Sequence, residues 1–309
     1  MKKILLASIG LIISSAAMAA PNMECKAVRF SDVGWTDITA TTALASTVLK
    51  GMGYEPEAKV LSVPVTYRSL KNKDLDVFLG NWMPTMEADV RPYLESGDVE
   101  SILTNLEGAK YTLAVPKYVA DAGVTSFADI AEHSDQFDGR IYGIEPGNDG
   151  NRLIQSMIEK DAFGLGEFRL VESSEAGMLS QVSRAVRRNN WVVFLGWAPH
   201  PMNANHDLVY LEGGDDFFGP NYGGATVHTN VRKGYLSECP NVGTLLTQMK
   251  FSLPMENEVM GAILNDGEEP SDAARAWLAN NPAVLDGWLD GVTTINGEPA
   301  LAAVKASLK

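Results

Sequence analysis

The sequence predicts a two-lobed α/β protein, each lobe a mainly parallel sheet flanked by helices, with a ligand cleft between the lobes. Three observations predict it. Strand-like apolar runs alternate with amphipathic helical segments almost throughout, the pattern of layered α/β domains. The run VFLGNWMPTM (Val77–Met86) returns as VFLGWAPHPM (Val193–Met202), more than a hundred residues later, too far for a solenoid or propeller repeat. Two extended segments, AKYTLAVP (109–116) and GGATVHTNV (223–231), stand where a chain would cross between lobes.

In chain order, Lys2 and Lys3 precede an apolar run from Ile4 to Ala17, and AMA (Ala17–Ala19) supplies a small-residue cleavage pattern. Residues 1–19 therefore read as a cleaved secretory signal, because the run is too short to span a bilayer comfortably. The first unit then reads VRFSDVGW as strand and TDITATTALASTVLKGMG as helix, with Leu44, Val48 and Met52 on one face. AKVLSVPV follows as strand, TYRSLKNKDLD as a short helix and DVFLGNW as strand. After the first crossing come RIYGIEPG (strand), NDGNRLIQSMIEK (helix), FRLVE (strand), SEAGMLSQVSRAVRR (helix) and WVVFLGW (strand). Beyond HDLVYLEG and the second crossing the chain is mostly helical, including TLLTQMKF, MENEVMGAIL and PSDAARAWLAN. Two crossings build lobe one from residues 20–110 and 215–309, and lobe two from 111–214. No Ser/Gly-rich tether separates them, so extended strands join the lobes. The carboxyl ends of both FLG strands then face the cleft.

Composition excludes several classes. A net charge of −14, made more negative when Lys2 and Lys3 leave, argues against nucleic acid and anionic membranes as partners. The chain has no Walker loop, dinucleotide fingerprint, H-E-x-x-H or G-x-S-x-G motif; this does not exclude an enzyme but removes the simple arguments for one. Cys25 and Cys239 are the two cysteines, and in an exported protein such a pair is expected to be a disulfide. Neither has a partner at metal-ligand spacing, and His200, His206 and His228 read as scattered surface residues.

Trp35, Trp82 and Trp197 each follow a strand and a glycine, where a loop begins. A single tryptophan is ordinarily core, and Trp191, Trp277 and Trp288 are read that way. Three in one strand-end context suit a desolvated cation held against indole faces, the interaction that underlies choline-type cages. Sugar stacking competes, but these strand ends carry few hydrogen-bonding groups. Asp37 stands where a helix starts and is equally a helix cap or a carboxylate beside the cage. Asn148 and Asp149 stand at a second helix start, where a cap or an anion-binding N-terminus is the reading.

FSDVGWTDIT, LSVPVTY, SLKNKDLDVFLGNWMPTMEAD, GAKYTLA, IYGIEPGNDGNRLI, VFLGWAPHPMNAN and GGDDFFGPNYGGATVHTNVR together resemble the glycine-betaine/choline family of periplasmic binding proteins of bacterial ABC importers, on its choline-binding side. The similarity runs through essentially the whole mature chain. It implies a type II-like binding protein with two α/β lobes and a two-strand hinge, closing over ligand in the interlobe cleft. It assigns the cage to Trp35, Trp82, Tyr111 and Trp197, and places Asp37 and Asn148 at the ligand hydroxyl, with Asp37 also near the ammonium. Cys25 and Cys239 match the family's disulfide. Ala198 departs from the pattern, which leads one to expect an acidic residue there. The implied function is capture of choline, with acetylcholine held more weakly, and delivery to a membrane permease powered by a separate ATPase. A periplasmic monomer without cofactor is the expectation. Glycine betaine as main ligand, or a secreted choline-ester or phosphocholine hydrolase, are the alternatives.

Overall fold

The computed structural model describes residues 25–309; the signal expected over residues 1–19 lies outside the described residues. The first strand, β1 (Ala27–Asp32), buries its apolar side chains and leads through a turn into the helix Thr36–Gly51. β2 (Glu55–Val60) returns as an exposed edge strand carrying Pro56, Glu57 and Lys59, residues that discourage pairing with another chain. The helix Val63–Lys71 leads to β3 (Val77–Met83), buried along almost its whole length. After the helix Glu87–Glu95 comes β4 (Val99–Pro116), a strand of 18 residues.

The middle of the chain forms β5 (Arg140–Tyr142), the helix Asp149–Glu159, β6 (Arg169–Val171), the helix Glu175–Arg188 and β7 (Phe194–Ala198). Then follow β8 (Leu208–Tyr210), β9 (Gly224–Arg232) and the helical tail. Four tail helices span Pro240–Gln248, Leu253–Leu264, Pro270–Asn280 and Ala300–Ser307. The last three of these pack against the helix Thr36–Gly51, so the chain's end completes the core its beginning started.

Among the described residues the strands belong to one nine-stranded sheet, ordered β2-β1-β3-β9-β4-β7-β5-β6, with β8 also paired to β4. Pairing is parallel within each flank, β2-β1-β3 and β7-β5-β6. It is antiparallel wherever β4 or β9 takes part. The fold is thus two lobes of α/β structure joined by a long strand pair. β4 changes partner along its length: Val99–Lys110 pair with β9, and Lys110–Ala114 pair with β7. Lys110 is the changeover, and Tyr111 is the next residue.

The sequence-based boundaries needed adjustment in one instructive place. AKVLSVPV was expected as strand, but the strand stops at Val60 and a helix begins at Val63. Pro64 lies in the first helical turn, where its missing N–H costs nothing and its fixed φ suits the helix. The valines gave the segment a strand-like look that the proline overrides.

Cys25 and Cys239 are bonded, with Cα atoms 5.6 Å apart and a sequence separation of 214. The bridge ties the residues just before β1 to the segment after β9. Nearby, the Asp76 carboxylate accepts hydrogen bonds from Arg29 at 2.8 Å and from Arg232 Nε at 2.7 Å. Burial opposes its ionisation, but the two guanidinium groups hold this carboxyl below the usual range. One buried anion thereby connects β1, the entry to β3 and the end of β9.

Candidate functional site

The site begins with a turn. Gly34 adopts φ 82°, and Trp35 follows in extended conformation at the N-cap position of the helix Thr36–Gly51. Trp35 offers that helix no side-chain cap; its indole N–H instead donates to Glu145 Oε1 at 2.7 Å, 110 residues away in sequence. Asp37, in the first turn, is not the cap either. It is 2% exposed and accepts the Trp82 indole N–H at 3.0 Å.

The FLG run explains how those two groups meet. A Cβ on Gly80 would lie 2.6 Å from Ile38 Cδ1, so only glycine lets the helix start approach β3 this closely. Trp82, two residues on, is thereby set beside Asp37. The second copy of the motif carries Trp197 at the end of β7, and both copies run Trp-x-Pro with a cis peptide before the proline, Met83–Pro84 and Ala198–Pro199.

Tyr111 joins the two halves. Its ring centroid lies 6.0 Å from that of Trp82 and 6.3 Å from that of Trp197, tilted in one case and edge-to-face in the other. Its hydroxyl donates to Asn148 Oδ1 at 2.9 Å, and burial raises the phenol well above its ordinary pKa, keeping the proton in place. A Cβ on Gly150 would strike that hydroxyl at 2.1 Å, which explains the glycine in GNDGN.

Trp35, Trp82, Tyr111 and Trp197, all buried, surround a small cavity together with Asp37, Asp149 and Ile144. Asn148 is not among the lining residues. It caps the helix Asp149–Glu159, its Oδ1 accepting from Asn151 N at 3.1 Å, and its amide donates to Asp149 Oδ1 at 3.2 Å. Asp149 is fully buried, and its Oδ2 has no hydrogen-bond partner.

Electrostatically the cavity is a desolvated acidic pocket. Burial, reinforced by the charge of Glu175, pushes the Asp37 carboxyl up to about 7; the Trp82 bond offsets part of this. Burial likewise raises Glu145 to about 7 and Asp149 to about 6. Glu256, on the tail helix Leu253–Leu264, is raised well above its ordinary value by burial and then by Asp37. No lysine or arginine lines the cavity among the described residues. Such a pocket disfavours anions and is relieved by a cation.

Other expectations fared differently. His200 is no surface residue: it is 2% exposed, packed against Trp197 with ring centroids 4.9 Å apart, and its Nε2 lies 3.2 Å from Glu175 Oε1. Trp288 is core, donating to Lys250 O at 3.1 Å. Trp191 and Trp277 are half-buried; Trp191 packs on His133 and Phe137, and Trp277 donates to Glu258 at 2.6 Å. Glu145, Glu175, His200 and Glu256 were not anticipated as part of the site, since each acts through a partner remote in sequence.

Comparison with known proteins places the fold and the family. The chain is similar to a solved ABC-transporter choline-binding protein in complex with choline, at 65% identity over 93% of this chain and 99% of that one, with a TM-score of 0.91. It is also similar to an ABC-transporter choline-binding protein in an unliganded semi-closed conformation, at 66% identity over 92% and 99% of the two chains, with a TM-score of 0.85. The glycine betaine/carnitine transport binding protein GbuC of Listeria monocytogenes is 30% identical over 164 residues, 53% of each chain. Residues 26–280 match the family described as the substrate-binding domain of ABC-type glycine betaine transport systems, a family of binding proteins rather than enzymes, and the chain belongs to it.

Proposed function

We propose that this chain captures choline outside the cytoplasm, in the periplasm, and delivers it as a monomer to the permease of an ABC importer. The observation that carries the reading is the cavity itself: four aromatic rings around a small space whose only charged lining groups, among the described residues, are the carboxylates Asp37 and Asp149. Aromatic faces attract a desolvated quaternary ammonium, and each such contact is worth about 2 kcal/mol or more. The carboxylates complement the same positive charge and can accept a hydroxyl hydrogen bond.

Lobe one is read as residues 20–110 with 215–309, and lobe two as 111–214. On that division Trp35, Asp37 and Trp82 belong to lobe one, while Tyr111, Asn148, Asp149 and Trp197 belong to lobe two. Ligand contacts to both lobes then stabilise the closed state, which the permease recognises. The greater likeness to the choline complex (TM-score 0.91) than to the unliganded semi-closed form (0.85) is in keeping with a closed arrangement.

Glycine betaine is the second reading, favoured by the family description. It shares the trimethylammonium group, but its carboxylate would meet Asp37 and Asp149 with no cationic side chain among the described residues lining the cavity to receive it. A calorimetric panel of choline, acetylcholine, glycine betaine and a sugar tests the proposal. Choline should bind most tightly, and preferential binding of betaine would reverse the assignment.

A further inference from the structure

The helix that presents Trp35 and Asp37 begins without a cap of its own. Its first N–H, on Thr36, is met instead by Glu175 Oε2 at 2.9 Å, and the Thr36 hydroxyl donates to Glu175 Oε1 at 2.5 Å. Glu175 is buried and opens a helix of its own, Glu175–Arg188, beyond the cavity. His200 Nδ1 accepts the Met202 backbone N–H at 2.9 Å, which leaves the ring proton on Nε2, facing Glu175 Oε1 at 3.2 Å. The same imidazole packs edge-on against Trp197.

We propose that Glu175 is a positioning residue that caps the helix Thr36–Gly51 from across the lobe boundary, so that closure over ligand is locked by a buried carboxylate accepting three donors. The inference rests on the lobe division and ligand reading above. Trp197, His200, Glu175 and Thr36 form a continuous series of contacts from a cage residue of one lobe to the helix that carries two site residues of the other. An opened cleft separates Thr36 from Glu175 and returns both to water. The interlobe pair Arg152–Asp89, at 2.7 and 2.9 Å, spans the same boundary at its rim; the aspartate is half-buried, but the Arg152 side chain is 41% exposed, so solvent screens this pair more than it does the buried Glu175.

The carboxylate cannot be replaced by an amide here. Oε2 receives one donor and Oε1 receives two, so in either orientation a glutamine NH₂ group would face a donor. Glu175→Gln should therefore raise the choline dissociation rate about tenfold or more, the loss expected for a charged hydrogen bond, with the association rate within about twofold of wild type. Thr36→Val, which removes the hydroxyl and keeps the backbone bond, should act in the same direction and add little in the double variant. Asp89→Asn should change dissociation by less than about threefold.

Stopped-flow tryptophan fluorescence with choline reads these rates, and the unliganded melting temperature, expected to be unchanged, separates the latch from a general loss of stability. Unchanged dissociation in both Glu175→Gln and Thr36→Val overturns the proposal, as does an equal effect from Asp89→Asn. Amide exchange at Thr36 in the ligand-bound, closed protein tests the cap directly: faster exchange in Glu175→Gln supports it, and equal exchange overturns it. A wild type that ignores choline would sink the ligand reading alone, and exchange measured with glycine betaine bound instead would still decide the cap.

Discussion

Asp37→Asn tests the proposed selectivity most directly. Asparagine keeps an acceptor for the Trp82 N–H, bound at 3.0 Å, and removes the charge. Burial raises the carboxyl from 3.8 to about 7. At 1.36 kcal/mol per pKa unit, that is about 4 kcal/mol held against the ionised group in the closed, empty cavity. A cation in the cage offsets this cost, and a hydroxyl donating to the carboxylate adds roughly 1.5–3 kcal/mol. The substitution therefore works in two directions: the empty cleft closes more readily, and the choline complex loses its counter-charge. Calorimetry at pH 8 should show choline binding weakened roughly ten- to 150-fold, with glycine betaine unchanged or improved. Small-angle scattering should show the unliganded variant more compact than wild type. If both ligands lose affinity by the same factor, Asp37 serves only the shared ammonium and the selectivity argument is refuted.

Trp82→Ala and Trp197→Ala should each weaken choline at least tenfold, whereas Trp277→Ala, which removes an indole bonded to Glu258, should leave affinity intact by calorimetry. Because burial raises Asp37, Glu145 and Asp149, the closed empty protein holds more protons than the unfolded chain between about pH 4 and 7. Its stability should fall as pH rises through that window, while choline, favouring the ionised carboxylates, should bind more tightly at pH 8 than at pH 5.5. Melting curves and titrations at both pH values check the opposite signs. Cys25→Ser opens a bridge spanning 214 residues, for which loop entropy sets an upper figure of about 5 kcal/mol; the melting temperature should drop by several degrees with choline affinity at low temperature nearly unchanged.

What the sequence makes legible follows from how local each signal is. The strand–helix alternation is a periodicity carried by consecutive residues, and it located most elements to within a few positions. The repeated FLG…W run placed Trp82 and Trp197 at strand ends, because the glycine and indole sit in one short segment. Tyr111 lies inside a strand with no local mark and came only with the family resemblance. Glu175 reads as an ordinary helix start and His200 as loop, since their partners, Thr36 and Trp197 among them, are fixed by the fold rather than by spacing. Asp149 was visible only as a cap candidate or part of an anion-binding helix start beside Asn148; the acidic pocket it lines, which disfavours anions, and its unpartnered Oδ2 are properties of three dimensions.

The partner exchange along β4 has a mechanical consequence. A rotation about the joining strands moves each atom in proportion to its distance from the axis, and Tyr111 adjoins the residue where β4 passes from β9 to β7. On the proposed lobe division, closure about these strands should leave Tyr111 nearly stationary while Trp35 and Trp197 swing through longer arcs. An arriving cation would then meet a fixed aromatic wall first. Tyr111→Phe, which removes the hydroxyl donor to Asn148 Oδ1, should therefore alter the wall that receives the cation while leaving the arcs of both lobes as they are.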